Sequence, residues 1–338
     1  MKSKIKQLLA AGTALAVSSA AAFAGAGFDA IKKRGELLCG VSGALGGFSL
    51  PDSKGVMQGL DADVCRAIAA AIGTKVKFVP LTAQQRFTAL QSGEVDILSR
   101  NTTWTLTRDT ALGLNFTAIT YYDGQGFMVP KKLGVKSAKE LDGATVCVQP
   151  GTTTELNLAD YFRGNNMKYT PVVIEGTQET NAAFFSGRCD VITTDASGLA
   201  SIRANDAPKG KSGDYVILPE IVSKEPLGPV VRHGDDQWLD IVKWVVFAML
   251  EAEEYGITQG NVDKMAAESK NPGIQRLLGK TPGMGKNLGL PEDWAAKAIK
   301  AVGNYGEVWE RHIPPLGLPR GVNKSWRDGG LMYAPPVR

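Results

Sequence analysis

The sequence predicts an α/β protein folded as two similar lobes. Strand-like and helix-like stretches alternate along most of the chain, which is the pattern of strands covered by crossover helices. One local pattern occurs twice: a helix, a small-residue stop, then an acid-bearing strand. It reads Ser92-Gly93-Glu94-Val95-Asp96-Ile97 in the first half and Ser186-Gly187-Arg188-Cys189-Asp190-Val191 in the second. The length, 338 residues, also exceeds what a single core usually supports.

The elements follow in order. Glu36–Val41 reads as a strand. Asp61 is placed to cap a helix running to Ile72, with Val64, Ile68, Ala71 and Ile72 on one face and Gly73 as its stop. Lys75–Pro80 is a second strand, Arg86–Ser92 a helix ended by Gly93, and Val95–Leu98 a third strand. This βαβαβ run predicts a parallel sheet covered on both faces. Asn115–Tyr122 is a further extended segment. The second series has a strand at Ala144–Val148, a helix at Thr152–Phe162, a strand at Tyr169–Ile174, a helix at Gln178–Phe185 and a strand at Cys189–Thr194. Asp236–Glu254 is helical, and a Gly- and Pro-rich tail follows. Its segment Leu331-Met332-Tyr333-Ala334-Pro335-Pro336 is too apolar for a solvated linker and is expected to pack on a lobe.

The N-terminus reads as an export leader. Lys2, Lys4 and Lys6 precede an apolar, small-residue stretch from Leu8 to Ala22, and Ala22-Phe23-Ala24 is a cleavage signal. The predicted mature chain starts near Gly25. The leader holds three of the 38 basic residues, so 35 remain against 34 acidic ones, a net charge of +1. No clustered Lys and Arg marks a nucleic-acid footprint. The apolar run Ile241 to Leu250 is interrupted by Lys243 and is far shorter than the roughly 20 residues needed to span a bilayer. Four cysteines in an exported chain read as two disulfides, with three connectivities possible. Pairing Cys39 with Cys65 and Cys147 with Cys189 keeps each bridge within one neighbourhood. Two histidines and no Cys-x-x-Cys offer no metal site, and no cofactor is expected.

Ligands of open α/β sheets bind beyond the carboxyl ends of the strands. Three segments reach such ends carrying polar groups. After Val95–Leu98 comes Ser99-Arg100-Asn101-Thr102-Thr103-Trp104-Thr105-Leu106-Thr107-Arg108; after Ala144–Val148 comes Gly151-Thr152-Thr153-Thr154-Glu155; and after Asp190–Ile192 comes Thr193-Thr194-Asp195. Each has a bland reading. Thr152 and Glu155 make a capping box, Asp195 is a helix cap, and Arg108 is a surface arginine. Taken together they describe the complement of a zwitterion. Arg108 faces a carboxylate, Thr103, Thr153 and the helix N–H groups after Thr152 complete its shell, and Asp195 takes an ammonium.

On these motifs the chain resembles the solute-binding proteins of ATP-driven polar amino-acid importers, most closely the branch for general L-amino acids. The resemblance rests on Gly93 to Arg108, Val148 to Glu155, Asp190 to Asp195 and the ending Gly329 to Pro336, and covers essentially the whole mature chain. It implies a type II periplasmic fold with a mixed sheet in each lobe and two hinge strands, crossing near Tyr122–Gly124 and Ser223–Pro226. Residues 25–123 with 225–338 then form lobe 1, and 124–224 lobe 2. The ligand set implied is Asn101, Thr103, Arg108, Thr152, Thr153 and Asp195, with Leu45, Arg100 and Gln149 as a side-chain pocket. Leu45 falls where narrow-specificity relatives carry an aromatic platform, so broad tolerance is expected. The implied partners are L-amino acids and an inner-membrane permease with a separate ATPase, and a periplasmic monomer is expected. The competing reading is a periplasmic enzyme on the same scaffold, such as a cyclohexadienyl dehydratase. It needs a general acid beside the ligand, and His233 and His312 are both remote in sequence from the three segments. A third reading, a ligand-sensing module, needs a membrane tether.

Overall fold

The computed structural model describes residues 25–338; the leader read over 1–24 lies outside the described residues. The chain opens with α1 (Ala26–Arg34), β1 (Glu36–Val41), the short pair β2 (Leu50–Pro51) and β3 (Met57–Gln58), and α2 (Leu60–Ile72). Next come β4 (Lys75–Pro80), α3 (Arg86–Ser92), β5 (Ile97–Leu98), α4 (Leu106–Ala111), β6 (Leu114–Phe116) and β7 (Tyr121–Asp123). A second series holds β8 (Gln125–Pro130), β9 (Thr145–Val148), α5 (Thr153–Gly164), β10 (Thr170–Val173), α6 (Thr177–Phe185), β11 (Val191–Asp195), α7 (Ala196–Asn205) and β12 (Tyr215–Ile217). The chain then returns through β13 (Glu225–Leu227) and β14 (Val230–Arg232). The remainder is helical: α8 (Asp236–Glu254), α9 (Val262–Glu268), α10 (Pro272–Leu277), α11 (Met284–Leu288), α12 (Trp294–Val302) and α13 (Tyr305–His312).

Two five-stranded sheets result, in the orders β4-β1-β5-β14-β6 and β10-β9-β11-β8-β12. The βαβαβ run gives the parallel strands expected of it, β4-β1-β5, and each whole sheet is mixed, as the resemblance implied. In each sheet the strand fed directly from the crossover, β14 or β8, runs antiparallel to both of its neighbours. A strand entering from the hinge must travel against those that lead back toward it, so the reversal follows from the crossing. The crossing is a two-stranded ladder that pairs Glu225 with Asp123, Pro226 with Tyr122 and Leu227 with Tyr121. Gly124 follows it, where an added Cβ would collide with Ile221 and lie 2.8 Å from the Ser223 carbonyl oxygen. A side chain there would force the two crossing segments apart.

The repeated acid has one cause in both halves. The Asp96 carboxylate accepts the Leu38 amide at 2.8 Å, and Asp190 accepts the Thr145 amide at 2.9 Å. In each case a carboxylate at the start of the central strand ties the neighbouring parallel strand in register. Val95–Leu98 is strand only at Ile97–Leu98, because Val95 donates its amide to the Ala89 carbonyl of the preceding helix. Asp61 is not the expected cap. Gly59 holds that position at φ 127°, and Asp61 is turned inward to the loop after β5. The tail differs most from expectation. It is a set of short helices whose side chains complete the core beside the first sheet, with α12 packed on α2. In its last segment Met332 and Ala334 point inward, whereas Leu331 and Tyr333 are exposed. His312 is structural, with Nε2 at 2.7 Å from Asp63 of α2.

The cysteines pair Cys39–Cys65 and Cys147–Cys189, with Cα atoms 6.4 and 5.6 Å apart. Each bridge ties one sheet to a helix or loop of the same half and leaves the crossing free. They close 26 and 42 residues of chain, worth about 3–4 kcal/mol each on the chain-entropy model. Replacing Cys147 and Cys189 by serine is expected to lower the thermal midpoint by several degrees, while ligand affinity measured below the transition stays within about twofold. Among the described residues no helix is long and apolar enough to cross a membrane.

Candidate functional site

Between the two sheets lies a cavity of about 50 Å³, counted as the space open to the centre of a water molecule. At roughly 10–15 Å³ per water, that is room for a few small polar groups. The three segments singled out in the sequence meet here. Asn101, Thr103, Thr152, Thr153 and Asp195 line the cavity, as do Leu45, Arg100 and Gln149. Arg108 does not line it. Its Nη1 donates to the Thr103 carbonyl at 3.0 Å, and its guanidinium lies 5.0 Å from the Phe87 ring centre, behind the wall Thr103 forms.

The loop after β5 is held under strain. Asn101 takes φ 30°, a left-handed conformation unusual for a side-chain-bearing residue. Its amide N–H donates to the Asp61 carboxylate at 2.9 Å. Burial pushes the Asp61 carboxyl up to about 7, against the opposing pull of that amide and of Arg100. The Asn101 Oδ1 is buried and makes no hydrogen bond. Across the cleft, Thr152 caps α5 by accepting the Glu155 amide at 3.0 Å. The reciprocal arm of the expected capping box is shifted by one residue, since the Glu155 carboxylate accepts from Gly151 instead.

Asp195 is the most informative group. It occupies the N-cap of α7 yet makes no side-chain cap bond. The hinge residue Asp123 performs that task, accepting the Ser197 amide at 3.3 Å. The Asp195 carboxylate is thereby left to the cavity and is 6% exposed. Burial and the neighbouring Asp123 and Glu225 hold it well above the usual carboxylate range, partly offset by Arg86 and Asn101. Burial raises Asp123 to about 6 against the hydrogen bonds it accepts from Ser197 and Gly124, and repulsion from Glu225 adds to the rise.

The sequence reading missed Arg86. This residue opens α3, beyond the carboxyl end of β4, and lines the cavity at 3% exposure. Its Nε has no hydrogen-bond partner. Burial, then Arg100 and Arg108, depresses its pKa well below the ordinary guanidinium value. An arginine stays protonated in a protein, so this buried, cation-flanked guanidinium favours an anion beside it. Arg100 is depressed to about 10, mainly by burial, and its Nε donates to the Leu81 carbonyl at 2.9 Å. Arg108 is lowered in the same way. The signal for Arg86 was its place at a parallel strand's carboxyl end, the same rule that selected the other three segments.

Residues 37–259 match the model of the bacterial extracellular solute-binding proteins, family 3. The chain belongs to this family. Its members are solute-binding proteins and not enzymes, so the dehydratase reading has no support. The chain is 56% identical to the general L-amino acid-binding periplasmic protein AapJ of Rhizobium johnstonii, over 100% of both chains. It is 58% identical to a glutamate/glutamine/aspartate/asparagine-binding protein of Rhodobacter capsulatus, over 96% of this chain and 97% of that one. Among solved structures, an ABC-transporter periplasmic binding protein from Brucella ovis with glutathione bound is 56% identical. It covers 92% of this chain and 98% of its own, with a TM-score of 0.88. The holo arginine-binding protein of T. maritima is 27% identical over 64% of this chain, with a TM-score of 0.57. The fold is the type II periplasmic binding fold, and the family's function implies a membrane transporter as partner.

Proposed function

We propose that this family member is the extracytoplasmic binding component of an ATP-driven importer for L-α-amino acids of broad side-chain range. The observation that carries the reading is Asp195, a buried carboxylate released from capping and facing a cavity lined by two buried guanidiniums, Arg86 and Arg100, with Arg108 behind the wall at Thr103. A zwitterion satisfies both signs at once. The ammonium goes to Asp195, and the α-carboxylate to Arg108 with Asn101, Thr103, Thr153 and the N-terminal turn of α5 after Thr152. To reach it, the Arg108 guanidinium exchanges the Thr103 carbonyl for the ligand. Arg86 and Arg100, with Gln149 and Leu45, then face the ligand side chain. Two cationic groups there favour carboxylate and amide side chains without excluding small ones. The relatives named for acidic and amide amino acids and for L-amino acids in general support this, as does bound glutathione, whose γ-glutamyl end carries the same α-amino-acid head.

Residues 25–123 with 225–338 form one lobe and 124–224 the other, closing about the β7–β13 ladder. The protein works in the periplasm as a monomer, delivering to a permease and ATPase on separate chains. A calorimetric screen of the common L-amino acids and glutathione tests the reading. Saturable binding of several amino acids without turnover is expected, and no binding by any of them would overturn it. In the same screen Arg86→Ala is expected to weaken glutamate and aspartate roughly tenfold or more, and alanine by less than threefold.

A further inference from the structure

Glu225 opens the second hinge strand and is 1% exposed. Its Oε2 accepts from Thr103 Oγ1 at 2.5 Å and from Thr153 Oγ1 at 2.9 Å. Its Oε1 accepts from Asn157 Nδ2 at 2.8 Å and from Ser223 Oγ at 2.6 Å. The four donors come from three places: the loop after β5, the first turns of α5, and the crossing itself. All four are neutral, so this is not an ion pair stabilising one core. Thr103 and Thr153 lie 3.3 Å apart, oxygen to oxygen, across the cleft and converge on one carboxylate oxygen.

A hydroxyl carries a single proton. With both protons given to Glu225, Thr103 and Thr153 offer the cavity only lone pairs. A ligand carboxylate brings no donor of its own, so these hydroxyls can serve Glu225 or the ligand but not both. We infer that Glu225 is an internal stand-in for the ligand's α-carboxylate, a resident competitor that an incoming amino acid displaces from Thr103 and Thr153. This rests on the assignment of the α-carboxylate to those hydroxyls and Arg108. Oε1 keeps Asn157 and Ser223 when Oε2 is displaced, so the side chain needs no rearrangement of the hinge strand to yield. The arrangement lowers affinity for every α-amino acid alike, since the head group is what competes. It also holds the two halves together through a contact that any correct head group replaces.

The test is titration of the full chain with L-glutamate, L-alanine and L-alaninamide, which lacks the carboxylate, for the wild type, Glu225→Ala and Glu225→Gln. Both substitutions are expected to tighten glutamate and alanine, Glu225→Ala by roughly tenfold, with faster association and no gain for the amide. Thermal melts establish that each variant is folded, and Glu225→Gln preserves the shape of the residue if the alanine variant does not fold. Equal or weaker binding of glutamate and alanine by folded variants would overturn the inference, because Glu225 would then be supporting the ligand and not competing with it. If wild-type protein binds none of the three, the amino-acid reading itself has failed, which is a separate outcome.

Discussion

Arg108→Ala is expected to remove detectable binding of every amino acid, a loss of about 100-fold or more in affinity, measured by calorimetry at fixed pH. The reason is burial. Arg108 is 7% exposed, and on the proposed assignment the α-carboxylate it meets in the closed cleft has no bulk water to replace it. Truncating one side of a desolvated charged contact costs roughly 2–5 kcal/mol, largely because the other charge is left buried. The loss should be the same for glutamate and alanine, since the head group is common to both. Normal binding by a folded Arg108→Ala would move the α-carboxylate to Arg86 or Arg100, the two guanidiniums that already line the cavity.

The second large effect belongs to Asp195. Asp195→Asn is expected to weaken α-amino acids by roughly 30-fold or more while sparing carboxylic acids that lack the ammonium. It also changes the pH profile. Burial, Asp123 and Glu225 raise the Asp195 carboxyl well above its ordinary range, whereas a bound ammonium favours the ionised form. Acidification therefore protonates the group that the ligand needs charged. Wild-type affinity falls as pH is lowered and rises as pH climbs, with proton release on binding through the raised titration. The asparagine variant has no such proton and should show a flatter profile. Titrations from pH 5 to 8 in two buffers of different ionisation enthalpy would read both quantities. An unchanged slope in Asp195→Asn would assign the titration to Asp123, its close neighbour.

The fold was largely legible because its signals are local. Gly73 and Gly93 stop their helices in left-handed conformations, and the two acid-bearing strands announce a duplicated plan. The antiparallel strand in each sheet was invisible to residue spacing alone, since it is set by where the chain crosses between halves. The tail's helices were missed for a different reason. They are five to nine residues long, and their formation depends on packing against α2 and α8 more than on periodicity. In the site, the polar segments were legible from their positions at strand ends. The donor-acceptor traffic was not, because it is long-range. That Asp123 caps α7 and frees Asp195, or that Glu225 takes the protons of two threonines, joins residues 72 to 122 positions apart.

The tail also bears on how the molecule moves. Asn323 reaches the hinge strand β7 and clamps Tyr122 from both sides, accepting its amide at 2.7 Å and donating to its carbonyl at 3.0 Å. Arg320 secures that segment to Glu253 of α8 through two bonds of 2.5 and 2.7 Å. The Tyr305 hydroxyl donates to the Thr120 carbonyl just before the strand. The approach to the crossing is thus fastened to the larger half like a door frame to its wall. What is left to flex is the short backbone beyond it, at Asp123–Gly124 and Ser223–Lys224. On the proposed closure the smaller half is the leaf that swings, and the 79 residues beyond the family match, 338 less 259, give it a fixed axis to swing on.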